Sequence, residues 1–280
     1  MAMEGKICLI TGANSGIGKA TAIGLAKEGA TIIMLCRDKD RGEKAKKEII
    51  DFTNNKDVEL FLCDLSSQKD IRKFVSEFKE KHQNLHVLIN NAGLMVPKFT
   101  LSDEGYEMNF IVNHLAPFLL TNLLLDILKE SAPSRIINVS SGLHKRGKMD
   151  FDDLQGKNKK PKLFKLYGDS KLALMLWSYE LSRKLEGTNV TINTVHPGVV
   201  NTNLGRYQSK ANQKFGKIFF KNPEKGAETS IYLASSPEVE GITGKYFVKK
   251  EPRQSSKDSY NVDDAKRIWE ISAKMTGLEF

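Results

Sequence analysis

Residues 7–18 read ICLITGANSGIG, an apolar run that opens into a glycine-rich turn. Ile7–Ile10 has the character of a buried strand. The stretch Gly16–Glu28 carries Ile17, Ala20, Ile23 and Ala26 on one side, the spacing of an amphipathic helix. Between them, Gly12, Gly16 and Gly18 permit a tight turn and a close approach of backbone to a bound group. The start of the helix offers free N–H groups and the positive end of its dipole. Strand, glycine turn and helix in that order make a seat for a pyrophosphate. The spacing is not the G-x-G-x-x-G of the commonest dinucleotide fingerprint.

Outward from this turn the same rhythm repeats. Strands are expected at Ile7–Thr11, Thr31–Cys36, Val58–Cys63, His86–Asn90, Arg135–Ser140, Val190–His196 and Tyr246–Val248. Helices are expected at Asp38–Phe52, Ser67–Lys81, Phe110–Leu128, Lys171–Leu185 and Glu224–Ala234, with a terminal helix from Asn261. The strands are near-continuous apolar runs, as a parallel sheet covered on both faces requires. The fold class is therefore α/β, a doubly wound parallel sheet of about seven strands. No linker, repeat or low-complexity tract divides residues 1–280, so a single domain is expected. Two stretches, Leu143–Leu166 and Thr202–Asn222, fit the rhythm poorly and read as functional loops.

Composition narrows the class. An apolar share of 40% and a charged share of 28% in 280 residues exclude collagenous, disordered and membrane-embedded chains. Cys8, Cys36 and Cys63 lie apart in apolar segments, with no disulfide framework and no metal-ligand spacing. They read as buried thiols, and no metal is expected. A net charge of +9 favours anionic partners. The first residues, MAMEGK, show no signal peptide, and the apolar stretch Leu115–Leu128 is too short and polar to span a bilayer. The cytoplasm is the expected compartment.

Five further motifs follow in order: Asn90-Asn91-Ala92-Gly93, Asn113, Ser140-Ser141, Tyr167-x-x-x-Lys171 and Pro197-Gly198. Together with Thr11-Gly12-x-x-x-Gly16-x-Gly18 they resemble the short-chain dehydrogenase/reductase family. That resemblance implies a Rossmann-type sheet and hydride transfer between a nicotinamide cofactor and a carbonyl or alcohol. It implies cofactor contacts from Gly12, Asn14, Ser15, Gly16, Ile17 and Gly18, from Arg37, Asp64 and Leu65, and from Asn91 and Gly93. Tyr167, Lys171, Pro197, Val200 and Thr202 complete that set.

Arg37 follows the second expected strand, where an acidic residue would bind the adenosine ribose and repel a 2′-phosphate. A guanidinium there pairs with a 2′-phosphate and favours NADP(H) over NAD(H). The opposing reading turns Asp38 or Asp40 back onto the ribose.

Hydride transfer to a carbonyl leaves an alkoxide that needs a proton. Tyr167 is the candidate acid. Lys171, one helical turn on, would lower its pKa, and in similar enzymes also holds the nicotinamide ribose. Ser141 would hold the substrate oxygen, and Asn113 would fix a water that links Lys171 to solvent. Ser140 is the competitor of Ser141. His114, His144 and His196 are the other acid–base candidates, and His114 and His196 are expected to be structural.

Ser141 and Tyr167 are 26 residues apart, against about a dozen in most small relatives. The phrases DFDDLQG (150–156), NFIVNHLAPFLLT (109–121) and VHPGVV-N-T (195–202) resemble the retinol-dehydrogenase-like branch, with Pro117 in place of a usual polar residue. The branch implies an apolar aldehyde or ketone as substrate, retinal-like or a lipid aldehyde. Leu204, Tyr207, Phe215, Ile218, Phe219 and Phe220 would suit an apolar lid. The basic insert, with Lys145, Arg146, Lys148, Lys157, Lys159, Lys160, Lys162 and Lys165, reads as a solvated face or as a contact for an anionic substrate or the membrane periphery. No motif supports nucleic-acid binding. A homodimer through the long central helices is expected by analogy. The rival readings are a non-catalytic NADP(H)-binding sensor or scaffold on the same fold and an NAD-dependent alcohol dehydrogenase.

Overall fold

The computed structural model describes residues 2–96, 98–158, 163–198 and 222–280. Val200, Thr202 and the expected lid Leu204–Phe220 lie outside the described residues, as do Lys159, Lys160 and Lys162 of the insert. The described chain forms an eight-stranded sheet in the order β3-β2-β1-β4-β5-β6-β7-β8. Strands β1 (Ile7–Thr11), β2 (Thr31–Cys36), β3 (Val58–Leu62), β4 (Val87–Asn90), β5 (Ser134–Val139), β6 (Val190–His196) and β7 (Tyr246–Val248) are parallel. The eighth, β8 (Glu251–Arg253), returns antiparallel to β7. It carries Pro252 and no apolar residue, so no hydrophobic signal marks it in the sequence.

Side chains alternate between the two covered faces, as strand geometry demands. Cys8 and Ile10 pack with α1 (Gly16–Lys27), α2 (Lys39–Thr53) and α8 (Pro223–Ser235). Leu9 packs on the other face with α3 (Gln68–Lys81) and α7 (Leu163–Lys184). The three cysteines are free and buried, and burial raises each thiol, Cys36 to about 11 and Cys63 to about 12.

The helix expected over Phe110–Leu128 is broken into pieces. A single turn, α4 (Met108–Phe110), runs into a π-helix over Ile111–Leu115, then α5 (Ala116–Leu123) and α6 (Leu125–Glu130). The Ala116 amide bonds to the Ile111 carbonyl, five residues back. Pro117 gives the reason: it has no N–H for the Asn113 carbonyl, and the chain takes up the slack in a wider turn. Helix α7 also starts earlier than expected, at Leu163, so Tyr167 and Lys171 stand near its beginning.

The last helix, α9 (Val262–Thr276), is capped at both ends. Asn261 Oδ1 accepts from the Asp263 and Asp264 amides at 3.0 and 3.1 Å, and Gly277 closes the helix at φ 61°. Its Trp269 meets Phe118 edge-on, with ring centroids 5.0 Å apart, and its Ser272 bonds to His114. Lys184 of α7 lies 5.1 Å from the Trp269 ring. No described helix is long and apolar enough to cross a membrane.

Candidate active site

The nucleotide side of the site is built on β1, α1 and the loop after β4. Gly12 and Gly16 have φ of +67° and +56°, which glycine adopts without strain. A Cβ on Gly18 would lie 2.4 Å from Asn91 Nδ2 and 2.5 Å from the Gly12 carbonyl oxygen. The turn is thus closed against the loop of residues 90–93. Thr11 clamps the two together. Its Oγ1 accepts from the Asn91 and Ala92 amides at 2.9 and 2.8 Å, and its carbonyl accepts from Asn91 Nδ2 at 2.8 Å. Ser15 caps α1 with extended backbone and no side-chain bond to the helix, and the first turn holds no acidic residue. The amides at this helix start remain available to an anion. These features fit the pyrophosphate of a dinucleotide.

Arg37 leaves the end of β2 with its side chain more than half exposed, 3.6 Å from an Asp64 oxygen. Asp64 in turn holds Ser66 through bonds of 2.9 and 2.7 Å. The Asp38 carboxylate accepts from the Arg41 amide at 3.0 Å, capping α2. Arg37, Asp38 and Asp40 are all exposed at this corner.

The chemical side joins the turn after β5 to α7. Ser141 follows β5 in extended conformation and caps a 3-10 turn, Gly142–Arg146. Its Oγ accepts from the Leu143 amide at 3.2 Å and shares a hydrogen bond with Tyr167. Burial pushes the Tyr167 phenol up to about 12, and the bond to Ser141 opposes that shift. Lys171 lies one turn along, with Nζ 5.9 Å from the Tyr167 ring centre. Burial brings its ammonium down to about 7, and Nζ donates to the Val139 carbonyl at 2.9 Å. The expected lowering of the Tyr167 pKa by Lys171 is not what this geometry gives. Desolvation dominates, and the opposing influence comes from Ser141.

Asn113 sits in the π-helix, 1% exposed. Its Nδ2 donates to the Leu94 carbonyl at 2.9 Å and to Ser170 Oγ at 3.1 Å, and its Oδ1 accepts from the Leu94 amide at 2.9 Å. The side chain thus braces the 90–96 loop against α7. Gly93 lies between the two polar groups: a Cβ there would be 3.2 Å from Asn113 Oδ1 and 3.5 Å from Lys171 Nζ. Beneath the site runs a buried polar rung. Asn90 Nδ2 donates to Thr121 Oγ1 and Asn138 Oδ1, at 3.0 and 2.8 Å, and Asn138 Nδ2 donates to Ser178 Oγ at 2.8 Å. Asn138 and Ser178 escaped sequence reasoning. The available signal was an asparagine inside an apolar strand, which must find partners when buried.

Ser140 Oγ is buried and has no partner among the described residues, which leaves Ser141 as the serine beside Tyr167. His114 is fully buried and held neutral, its pKa near 3, with Nε2 on Ser272 Oγ at 2.8 Å. His196 Nδ1 accepts from the Gly142 amide at 3.2 Å, and Pro197-Gly198 follows it with Gly198 at φ 86°.

The insert is packed rather than merely solvated. Gln155 accepts from the Glu107 amide at 2.8 Å, and Asp169 of α7 accepts from the Lys148 amide at 2.9 Å. A Cβ on Gly147 would lie 2.5 Å from the Gly168 carbonyl oxygen, so insert and α7 touch backbone to backbone. Lys145, Arg146, Lys148, Lys157 and Lys165 remain exposed.

Comparison with known proteins agrees with this geometry. The model of the short chain dehydrogenase family matches residues 6–213. Retinol dehydrogenase 14 of Mus musculus is 46% identical over 99% of this chain and 87% of its own length. The crystal structure of an uncharacterised protein from Mycobacterium paratuberculosis superposes with a TM-score of 0.81 at 31% identity, covering 99% of this chain and 95% of that one. The Pseudomonas aeruginosa RhlG/NADP active-site complex superposes with a TM-score of 0.71 at 26% identity, covering 87% and 94%. The chain is an oxidoreductase that belongs to the short chain dehydrogenase family, in the branch that holds the retinol dehydrogenases.

Proposed function

We propose that this enzyme uses NADP(H) to interconvert an apolar aldehyde or ketone and its alcohol, with Tyr167 as the general acid and base. The observation that carries the reading is the Ser141–Tyr167–Lys171 group, in which Tyr167 and Lys171 are buried and the phenol is held protonated and hydrogen-bonded to the serine. The backbone of residues 12–18 would hold the pyrophosphate, Arg37 the 2′-phosphate, and Lys171 the nicotinamide ribose. When bound, the cofactor supplies hydride to the carbonyl carbon or takes it from the alcohol carbon.

In reduction, Ser141 Oγ and the Tyr167 phenol direct hydrogen bonds at the substrate oxygen. As negative charge develops there, Tyr167 transfers its proton and the alcohol is complete. Lys171, whose own proton is labile near neutrality, would return a proton to the resulting tyrosinate. The retinol dehydrogenase named among the relatives supports a long apolar substrate. The RhlG complex with NADP supports the phosphorylated cofactor.

The test is NADPH oxidation by the purified enzyme across carbonyls from short aldehydes to retinal. Turnover that rises with chain length and disappears in Tyr167→Phe is expected. Near-normal turnover in Tyr167→Phe would remove Tyr167 as the acid.

A further inference from the structure

Ser141 and Tyr167 act as a pair but stand on separate elements, the turn after β5 and helix α7. A third element touches both. Segment 255–260, between β8 and α9, stacks Tyr260 on Tyr179 of α7, with ring centroids 5.3 Å apart and planes within 6°. Ser255 Oγ pairs with the Tyr179 hydroxyl at 2.8 Å and with Ser259 Oγ at 2.6 Å. The Ser255 amide donates to the Tyr260 hydroxyl at 3.1 Å. One side of the segment is thereby fastened to the helix that carries Tyr167.

The other side reaches the serine turn. The Ser256 amide donates to His144 Nε2 at 3.1 Å. A backbone N–H can only donate, so Nε2 is bare and the imidazole proton sits on Nδ1. Nδ1–H then donates to the Ser141 carbonyl at 2.6 Å, which also accepts from the His144 amide at 3.1 Å. The ring is fully buried and edges onto Tyr246 of β7, with centroids 5.0 Å apart. A buried imidazole with both nitrogens engaged has one orientation, and it holds the Ser141 peptide plane with it.

We propose that His144 is a positioning residue: with segment 255–260 it forms a strut from α7 to the Ser141 carbonyl, and the strut sets the separation of Ser141 and Tyr167. This rests on the reading of Ser141 and Tyr167 as the reacting pair. Displacement of a catalytic group by about 1 Å is enough to cost on the order of 10²-fold in rate, so the strut acts on turnover rather than on cofactor binding.

Ser256→Pro tests it with little disturbance. Ser256 has φ −70°, which proline adopts, and its hydroxyl has no partner among the described residues. The substitution therefore removes the amide donor and no side-chain bond. His144→Ala removes both bonds of the ring, and His144→Asn keeps a donor within reach of the Ser141 carbonyl. We expect kcat to fall about tenfold in Ser256→Pro and further in His144→Ala, with partial recovery in His144→Asn and an unchanged Kd for NADPH. The Ser141 bond opposes the upward shift of Tyr167, so the alkaline limb of the kcat profile should move to higher pH in Ser256→Pro and His144→Ala. Amide exchange over residues 139–147 should quicken in Ser256→Pro.

Unchanged kcat and pH profile in folded, NADPH-binding His144→Ala would overturn the proposal. So would an equal loss of turnover and cofactor affinity, which marks general loosening. If the wild-type chain turns over no carbonyl, the reading of the reacting pair fails by itself. The strut is then judged by exchange alone, and unchanged exchange in Ser256→Pro refutes it.

Discussion

On the nucleotide side, the groups offered to a ligand belong to the backbone: the amides at the start of α1, laid open by Gly12, Gly16 and Gly18. On the chemical side they are side chains, Ser141, Tyr167 and Lys171, and burial sets the protonation of the last two. The first kind of site depends on what is missing, since one added Cβ fills it. Its backbone amides carry no titratable atom. The second depends on what surrounds it, because desolvation moves a phenol and an ammonium in opposite directions. The two halves should therefore fail separately.

Tyr167→Phe is the strongest test of that separation. Turnover should fall by roughly 10²–10⁴-fold, the range for loss of a general acid, while NADPH affinity by fluorescence titration stays as in the wild type. A large loss of affinity would mean that the halves are not independent. Gly18→Ala should do the reverse. Its Cβ meets Asn91 Nδ2 and the Gly12 carbonyl, so NADPH binding should weaken by at least tenfold and stability should drop by about 1–3 kcal/mol. At saturating NADPH the remaining folded enzyme should turn over near the normal rate. Equal NADPH titrations for Gly18→Ala and wild type would show that the turn is merely tight.

Burial on the chemical side also has a pH signature. Folded His114 stays neutral down to about pH 3, whereas a free imidazole charges near pH 6.5. Between these values the unfolded chain holds the extra proton, so stability falls as pH drops from about 6.5 toward 3. By pH 4.5 this contribution is about 2–3 kcal/mol. Melting curves of His114→Gln should lose less between pH 7 and pH 4.5 than those of the wild type, and equal losses would refute the assignment. The smallest effect is expected at the exposed Arg37. Arg37→Asp should shift the ratio of NADPH to NADH affinity by about tenfold toward NADH. An unchanged ratio would show that Arg37 does not read the 2′-phosphate.

The same contrast explains what could be read from the chain alone. Backbone seats need glycines, and glycines at fixed offsets are visible, so residues 11–18 and 90–93 located the nucleotide side. Ser141, Tyr167 and Lys171 were visible as a pattern, but their protonation was not, because desolvation is a property of the packed core. The pairing of His144 with Ser256 joins residues 112 positions apart and leaves no local mark. Strand β8 was hidden by its polar sequence. The break in the central helix was hidden for the opposite reason: apolar residues continue on both sides of residues 111–115, and Pro117 alone hinted at the disturbed register.

That five-residue turn constrains how the protein can vary. The wide turn already takes up one extra residue, so a residue gained or lost just after it, between Leu115 and Phe118, would rotate everything that follows by about 100°. Phe118 would swing away from Trp177 and Trp269, and Thr121 from Asn90, while Asn113 stayed with Leu94. Substitutions can be absorbed along this helix one at a time, but changes of length beyond the wide turn cannot. Descendants of this sequence should therefore gain and lose residues in the insert before α7 and keep the count fixed from Ala116 to Leu123.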